Sequence, residues 1–189
     1  MKKNFGKQTF LYPMPVLIIA TYDENGNADI MNAAWGGIHD TNQIGICCDP
    51  SHKTADNIKL KKAFTVSIAD AKHVAQCDYV GIVSAKKEAD KVKKSAFTLT
   101  KSEFVDAPVI NELPMCLECQ LVSYDDKTGV MVGDIINVSA EEDVLTDGKI
   151  DALKLQAITY DPVNHNYIQL GNIVGKAFSD GKAIKLNGS

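Results

Sequence analysis

Three pairs of strand-like segments, each joined by a short turn, constrain the fold of this chain more than any other feature of its sequence. The members of each pair are rich in β-branched, aromatic and other apolar residues, and the turns contain Gly, Asn, Asp or Pro. Such pairs are typical of β-hairpins, in which neighbouring strands run antiparallel. The pairs are 16–22 with 28–34, 115–124 with 130–140, and 155–161 with 166–171.

The rest of the chain adds two single strands, at 43–48 and 64–69. A helix is predicted over 51–63 and a shorter one within 70–83, whereas the charged segment 84–96 fits either a surface helix or an ordered crossing loop. Strands that outnumber helices and pair through short turns predict a mainly β fold with peripheral helices. The natural architecture is an antiparallel barrel with a few helices at its openings.

Composition limits the class of protein. The net charge is −4, and acidic residues and lysines are interspersed, so no nucleic-acid partner is expected. The apolar run near the N-terminus is brief and interrupted by proline, which predicts neither a signal peptide nor a membrane span. Five cysteines at irregular spacing predict reduced thiols in a cytoplasmic protein. Residues 1–189, of which 45% are apolar, are predicted to form one domain.

The segment 29–40, DIMNAAWGGIHD, departs from the hairpin pattern. It contains the only tryptophan, Trp35, beside two alanines and a Gly-Gly pair, a composition that predicts a poor strand and no helix. One interpretation is a loop with its tryptophan buried in the core. The other is a strip of backbone, kept thin by small side chains, against which a flat ligand can lie.

A candidate anion site follows the strand at 43–48, where CCDPSHKTADNIK leads into the predicted helix. Ser51 or Thr54 is predicted to cap that helix, whose first turn has free backbone N–H groups and the positive end of the helix dipole. His52 and Lys53 add cationic capacity at a place where acidic residues are preferred. A bound phosphate would explain them, and a solvated helix start is an equally favoured alternative.

These two segments are one strand apart along the chain, and in an antiparallel barrel they can lie at the same rim. A thin strip beside a phosphate pocket suits a planar ring with a phosphorylated tail. That description fits flavin mononucleotide (FMN).

Five segments, in this order along the chain, resemble the flavin reductase-like, flavoredoxin-type family. They are MNAAW, SHKTADNI, GIVSAKKEADK, APVINELPMCLECQL and YIQLGNIVGKAFSDGK, and the resemblance spans roughly residues 10–182. Each segment alone is unspecific, and the ordered set carries the resemblance. It implies an antiparallel, FMN-binding split β-barrel that forms a homodimer, with the flavin near the subunit interface.

The resemblance also implies the residues of the cofactor site. The strip beside the isoalloxazine ring corresponds to Met31, Asn32, Ala33, Ala34 and Trp35, and the strand end beside it to Cys47 and Cys48. The phosphate-binding turn corresponds to Ser51, His52, Lys53 and Thr54, and the later charged segment, from which a lysine reaches the phosphate, to Ser84 and Lys91. Many relatives have arginine in the turn. All 20 basic residues of this chain are lysines, so Lys53 is expected to act as a point charge.

For function, the resemblance implies an FMN-dependent oxidoreductase in which the flavin performs the chemistry and the protein supplies binding and orientation. The expected electron donor is NADH or NADPH, bound transiently, or a redox protein, and the acceptor is a flavin or another molecule. One alternative is a flavoredoxin-type, non-catalytic electron carrier that holds FMN tightly, and another is a flavin-binding module without a redox role. No catalytic side chain, no metal site and no Gly-x-Gly-x-x-Gly dinucleotide motif is expected.

The pair Cys116 and Cys119 invites a redox or metal interpretation, because two residues separate the cysteines. On a strand, however, residues three apart face opposite sides, and no second pair or histidine cluster completes a metal site. Cys119 is therefore predicted to be a small core residue. By the same alternation, Cys47 and Cys48 are predicted to face opposite sides of their strand.

Overall fold

The computed structural model describes residues 1–182 and 184 and has a mainly β fold with short peripheral helices. The domain predicted over residues 1–189 also includes positions 183 and 185–189, which lie outside the described residues. The strands are β1 (Met14–Pro15), β2 (Leu17–Tyr22), β3 (Ala28–Ala33), β4 (Gly36–Asp40), β5 (Gln43–Cys47), β6 (Ala63–Ile68), β7 (Leu99–Lys101), β8 (Pro108–Ile110), β9 (Met115–Tyr124), β10 (Val130–Ala140), β11 (Leu145–Thr146), β12 (Lys149–Ile150), β13 (Ile158–Asp161) and β14 (Asn166–Gln169). The helices are α1 (Lys53–Lys61), α2 (Val74–Ile82), α3 (Lys91–Ser95) and α4 (Ala152–Leu155), with a 3-10 turn at Glu142–Val144.

The main sheet has seven strands in the order β3-β2-β6-β9-β10-β5-β4, and every neighbouring pair is antiparallel. A three-stranded sheet, β1-β13-β14, and two small ribbons, β7-β8 and β11-β12, complete the described sheets. The three predicted hairpins are confirmed as β2-β3, β9-β10 and β13-β14.

The two ends of the main sheet are joined by only two residues. Strands β3 and β4 lie at opposite ends of the strand order, yet only Ala34 and Trp35 separate them in the sequence. Consecutive Cα atoms are about 3.8 Å apart, so the Cα atoms of Ala33 and Gly36 cannot be more than about 11 Å apart. The sheet must therefore curl until its outer strands approach each other, which gives the antiparallel half-barrel that was predicted.

The prediction that 29–40 makes a poor strand is wrong. Residues Ala28–Ala33 pair with β2 along their whole length, and Gly36–Asp40 pair with β5. Ile30 is fully buried, and pairing with the strongly apolar strand β2 outweighs the weak intrinsic propensity of the small residues. Only Ala34 and Trp35 remain outside regular structure.

The predicted helices are shorter in the structure than in the sequence pattern. Helix α1 begins at Lys53, after Pro50 and two turn residues, and ends with Lys62 in the left-handed region at φ 56°. Of the charged segment 84–96, only Lys91–Ser95 is helical, and the rest forms turns. No helix in the described part of the chain is long and apolar enough to span a membrane.

Strand β2 is buried on both faces and separates two apolar clusters. Its Leu17 and Ile19 face the first cluster, which includes Ile58 of α1, and its Ile18 and Ala20 face the second, which includes Val80 of α2. The two helices therefore cover opposite faces of the sheet. The start of α1 and the end of α2 are neighbours, and the residues of the candidate site lie beside them.

Phe64 of β6 fills the centre of the first cluster and is 0% exposed. Its ring lies against the backbone of Gly133, at an irregularity in the β9-β10 pairing. A Cβ atom added at Gly133 would lie 2.5 Å from Cζ and 2.8 Å from Cε1 of that ring. Glycine at this position is what lets the large aromatic side chain pack against the sheet.

Candidate functional site

Two adjoining cavities lie along strand β3: the lysine cavity, where the start of α1 and the end of α2 meet the strand, and the tryptophan cavity, between the strand, the end of β5 and the β9-β10 turn. The lysine cavity has a volume of about 150 Å³ and the tryptophan cavity about 350 Å³. Of the predicted site residues, the lysine cavity is lined by Met31, Asn32, His52, Lys53, Thr54, Ser84 and Lys91. The tryptophan cavity is lined by Met31, Asn32, Ala33, Ala34, Trp35, Cys47, Cys48 and His52.

Three side chains, Met31, Asn32 and His52, line both cavities, which makes the two one continuous depression. The strip and the helix start, which are about twenty residues apart in the sequence, therefore meet in space as predicted. Ser51 is the one predicted residue that lines neither cavity. It is exposed, and its carbonyl oxygen accepts a hydrogen bond from the Lys86 ammonium.

Lys91 is the most unusual cation of the site. It is only 4% exposed, and its ammonium has no carboxylate within 4.0 Å among residues 1–182 and 184. Burial lowers the pKa of Lys91 below its ordinary value of 10.5, and the nearby Asp29 carboxylate offsets this effect only in part. A buried charge without a partner is costly in an apolar interior, so an anion bound in the lysine cavity would stabilise Lys91.

Lys53 is the second cation, and it is paired in this structure. Its ammonium lies 3.2 Å from a carboxylate oxygen of Asp23, in the β2-β3 turn. Burial opposes ionisation of Asp23, but hydrogen bonds from Asn27, Lys53 and Asn25 hold the pKa of this carboxyl below its usual value. Asp23 thus holds the side chain of Lys53, which lines the lysine cavity.

The predicted cap of helix α1 is wrong. His52, rather than Ser51 or Thr54, occupies the N-cap position, and in the described part of the chain no side chain accepts a hydrogen bond from the first turn. The Thr54 hydroxyl instead donates to Asp29 at 2.6 Å, because Thr54 is buried and points towards strand β3. The first-turn N–H groups therefore have no side-chain acceptor, and they lie beside the lysine cavity.

Asp29 is the residue that the sequence reasoning missed. It is 1% exposed, and its second carboxylate oxygen has no hydrogen-bond partner among the described residues. It lines the lysine cavity together with Thr54 and Lys91. An acidic residue inside an otherwise apolar strand segment, as in Ala-Asp-Ile-Met, was the available signal.

Asn32 is fixed at the junction of the cavities by helix α2. Its side-chain amide donates to the carbonyl oxygen of Cys77 at 3.1 Å. A Cβ atom at Gly81 would lie 3.0 Å from the Cβ atom of Asn32, so glycine allows the helix to approach the strand this closely. No pattern in the sequence indicated this role for Gly81.

Trp35 is 56% exposed, so its burial in the core, one of the two interpretations, is wrong. The side chain instead lines the tryptophan cavity, while the carbonyl oxygen of Trp35 accepts a hydrogen bond from the N–H of Cys47 at 2.7 Å. This bond ties the link between the outer strands to strand β5.

The cysteines follow the predicted alternation. Cys47 is exposed, whereas Cys48 is 1% exposed, with its sulfur 3.7 Å from that of Met31. Burial, together with nearby carboxylates such as Asp49, raises the pKa of Cys48 to about 11. Cys119 is a core residue, as predicted, and burial raises its pKa to about 12. Among the described residues, no group of three or more His, Cys, Asp or Glu could hold a metal ion.

This distribution predicts the reactivity of the thiols. Native protein treated with 5,5′-dithiobis(2-nitrobenzoate) at pH 8 should release one equivalent of thiolate rapidly, because four of the five cysteines are buried. The unfolded protein should release five. The variant Cys47→Ser should lose the rapid phase, and a rapid phase of two or more equivalents would contradict the burial of the other four thiols.

The comparisons with known proteins agree with this architecture. Residues 9–160 match the family model of the flavin reductase like domain. The flavoredoxin of Desulfovibrio vulgaris (Miyazaki F) is 35% identical, with a TM-score of 0.91 over 96% of this chain and 100% of that one. A flavoredoxin from Methanosarcina acetivorans is 28% identical, with a TM-score of 0.88 over 97% and 99% of the two chains.

A more distant likeness concerns the fold alone. The FMN-binding domain of a flavin reductases-like enzyme from Shewanella baltica is 17% identical, with a TM-score of 0.77 over 86% of this chain and 88% of that one. This likeness identifies the curled antiparallel sheet as a split barrel, which confirms the predicted fold class. Because the family model covers well over half of its residues, the chain belongs to the flavin reductase like family.

Proposed function

We propose that this chain binds FMN, with the phosphate in the lysine cavity and the isoalloxazine ring in the tryptophan cavity, and that it functions as an FMN-dependent oxidoreductase. The observation that carries the proposal is the buried ammonium of Lys91, which has no carboxylate within 4.0 Å among residues 1–182 and 184. The flavin reductase like family and the flavoredoxin relatives support the same cofactor.

The lysine cavity suits a phosphate in charge and in hydrogen-bond donors. Lys91 supplies a buried positive charge, and the uncapped first turn of α1 supplies backbone N–H groups and the helix dipole. Lys53 lies at the same cavity and can exchange its contact with Asp23 for a phosphate oxygen. These groups would bind the phosphate, and the buried Asp29 beside them would orient Thr54 through its hydrogen bond.

The tryptophan cavity suits a flat ring. Ala33 and Ala34 add little volume above the backbone, and strand β3 is at the sheet edge, so one side of it has no strand partner in the described sheets. Such an edge presents unpaired N–H and C=O groups, which match the donors and acceptors of a pyrimidine edge. Asn32, held by the Cys77 carbonyl, would position the ring where the two cavities join.

When bound, FMN supplies the redox chemistry, by accepting and releasing a hydride or single electrons. The residues of this chain would bind it, orient it and stabilise charge on it. Backbone N–H groups directed at the pyrimidine edge would favour negative charge there through preorganised electrostatics. No acidic or basic side chain of this chain is needed for hydride transfer to the flavin.

The electron donor in this proposal is NADH, NADPH or a redox protein. A second candidate function is a flavoredoxin-type electron carrier that is not catalytic, and the two flavoredoxin relatives favour it. The discriminating experiment begins with the visible spectrum of the protein after incubation with FMN. Anaerobic addition of NADH or NADPH should then bleach the flavin if the protein is a reductase. Bleaching only by a reduced ferredoxin-type donor would support the carrier, and failure to bind FMN would overturn both.

Lys53 should contribute to cofactor affinity. We expect Lys53→Ala to weaken FMN binding by about 1–3 kcal/mol, because it removes a charge-assisted contact to the phosphate. Titration of apoprotein with FMN, followed by quenching of the flavin fluorescence, measures the effect. Lys59→Ala is the matched control, since Lys59 lies on the same helix but pairs with Asp126 at 2.8 Å. Equal affinities for the two variants would remove Lys53 from the site.

The homodimer is also part of the proposal. Ile136 and Val138 lie two residues apart on β10 and are 47% and 45% exposed, which leaves an apolar face on this strand. Sedimentation equilibrium should give the mass of two chains. Ile136→Lys should shift the mass towards one chain, because a charge in an apolar interface is left desolvated. A single-chain mass for the unmodified protein would contradict the homodimer.

A further inference from the structure

A third cavity, the tyrosine cavity, lies beside strand β3 and has a volume of about 450 Å³; Asn32, Gly81 and Ile82 line both it and the lysine cavity. It shares Asn32 and Ala34 with the tryptophan cavity. Its far wall comes from the β13-β14 hairpin and from helix α2, and includes Tyr160, His165, Tyr167 and Asp78. A molecule bound there would touch the same strip as the proposed flavin ring.

The polar groups of the tyrosine cavity form two hydrogen-bonded pairs. The Tyr160 hydroxyl lies 2.6 Å from Nδ1 of His165, and the Tyr167 hydroxyl donates to Asp78 at 2.8 Å. In either tautomer of His165, one donor of the first pair stays free: the Nε2–H group or the Tyr160 O–H group. In the second pair, the other carboxylate oxygen of Asp78 remains available as an acceptor.

Aromatic rings form the rest of this wall. The ring of Tyr160 lies 6.1 Å, centroid to centroid, from His165 and also from Tyr167. His165 has φ 60°, a left-handed conformation that favours glycine or asparagine. Histidine is among the few non-glycine residues that adopt this conformation comparatively often, and here it places an imidazole at the cavity.

We propose that the tyrosine cavity is the acceptor site and takes a neutral quinone-type aromatic molecule, with Asp78 discriminating against anionic acceptors. The inference rests on the proposed function for its source of electrons. A planar ring matches the aromatic wall, a carbonyl oxygen matches the free donor of the Tyr160–His165 pair, and the hydroquinone hydroxyl matches the acceptor on Asp78. A carboxylate or sulfonate on the ligand would be repelled by Asp78.

Reduction of the quinone to the hydroquinone needs two electrons and two protons. When bound and reduced, FMN would supply a hydride, that is two electrons and one proton, to one carbonyl oxygen of the quinone and would itself be oxidised. The other oxygen accepts the proton of the Tyr160 hydroxyl, which the Nδ1–H group of His165 replaces, so that two electrons and two protons in all convert the quinone to the hydroquinone. His165 is exposed, and solvent can return its proton.

The test compares two anthraquinones that do not react with thiols. FMN loading of the protein is first measured from its visible spectrum. Isothermal titration of the oxidised, FMN-loaded protein with 2-(hydroxymethyl)anthraquinone and with anthraquinone-2-sulfonate then gives two dissociation constants. We expect the sulfonate to bind roughly tenfold more weakly, the order of effect that one nearby charge produces at a partly exposed site.

Asp78→Asn keeps an acceptor for Tyr167 but removes the charge, and it should bring the two dissociation constants to within about twofold of each other. Asp126→Asn, a change at a distant exposed acid, should leave the tenfold ratio unchanged. Equal binding of both quinones to the unmodified protein, or tighter binding of 1-methylnicotinamide than of either, would overturn the inference. Failure to load FMN would overturn the proposed function instead, and is detected before any quinone is added.

Discussion

Replacing Lys91 with methionine should abolish FMN retention and at the same time stabilise the FMN-free protein. In the proposed complex, the Lys91 ammonium is a buried partner of the phosphate, and truncating one partner of such a pair weakens binding by about 2–5 kcal/mol. Without FMN, the same ammonium is buried and has no carboxylate within 4.0 Å among the described residues, so methionine of similar length removes an unfavourable charge. Fluorescence titration measures the first effect and calorimetry the second.

Lys94→Met is the matched control for this prediction. Lys94 lies on the same short helix, α3, but is half exposed and pairs with Glu88. It should change neither the affinity for FMN nor the melting temperature by much. A Lys91→Met protein that keeps its FMN would overturn the assignment of the lysine cavity to the phosphate.

The free energy of unfolding of the FMN-free protein should depend on pH through the ionisation of Lys91. Its pKa is lowered in the folded state relative to 10.5, so between the folded value and 10.5 the unfolded chain binds more protons than the native one. Stability contributed by this group therefore rises with pH through that window. Unfolding of wild type and Lys91→Met in urea, compared from pH 7 to pH 10, should show a rise that only the wild type has. Saturation with FMN should reduce that rise.

Removing the Phe64 side chain should cost a large part of the stability of the fold. Phe64→Ala should lower the free energy of unfolding by about 3–5 kcal/mol, because it leaves a cavity at the centre of the first apolar cluster. Gly133→Ala should cost about 1–3 kcal/mol in the wild type, since the new methyl group would overlap the ring. Urea unfolding measures both effects.

The two changes should be strongly coupled. In the Phe64→Ala background the ring that Gly133 accommodates is gone, so Gly133→Ala should become nearly neutral, and the double-mutant cycle should give a coupling of about 1–3 kcal/mol. Gly37→Ala is the control, because a Cβ atom at Gly37 meets nothing within 4 Å. Additive effects of the two substitutions would contradict the close packing of Phe64 on Gly133.

The three hairpins were predicted correctly because β-branched and apolar segments and the turn residues between them are local signals. The expectation that 29–40 makes a poor strand was wrong because the stability of Ala28–Ala33 comes from pairing with β2, which the composition of the segment does not encode. The helix cap was misjudged for a similar reason: Thr54 bonds to Asp29, which is 25 residues earlier in the chain. In both the strand and the helix cap, the local conformation depends on a partner that is distant in the sequence.

For the site, the ordered resemblance located residues that the structure brings together, with the exception of Ser51. It could not reveal Asp29 or Gly81, because their roles depend on the approach of α1 and α2 to one strand. Their importance appears only once the three elements are packed. That FMN occupies this depression stays a prediction, and the Lys91 experiment tests it.

The two-residue link of Ala34 and Trp35 has a mechanical consequence. The strands on either side of it are the outermost pair of the main sheet, and they are not hydrogen-bonded to each other in the described structure. A ligand bound against Ala34 and Trp35 would bridge strands β3 and β4 and would hinder their separation. Loss of such a ligand would therefore allow β3 and β4 to separate before the inner strands of the sheet do. Exchange of backbone amide hydrogens would accelerate first in β3 and β4.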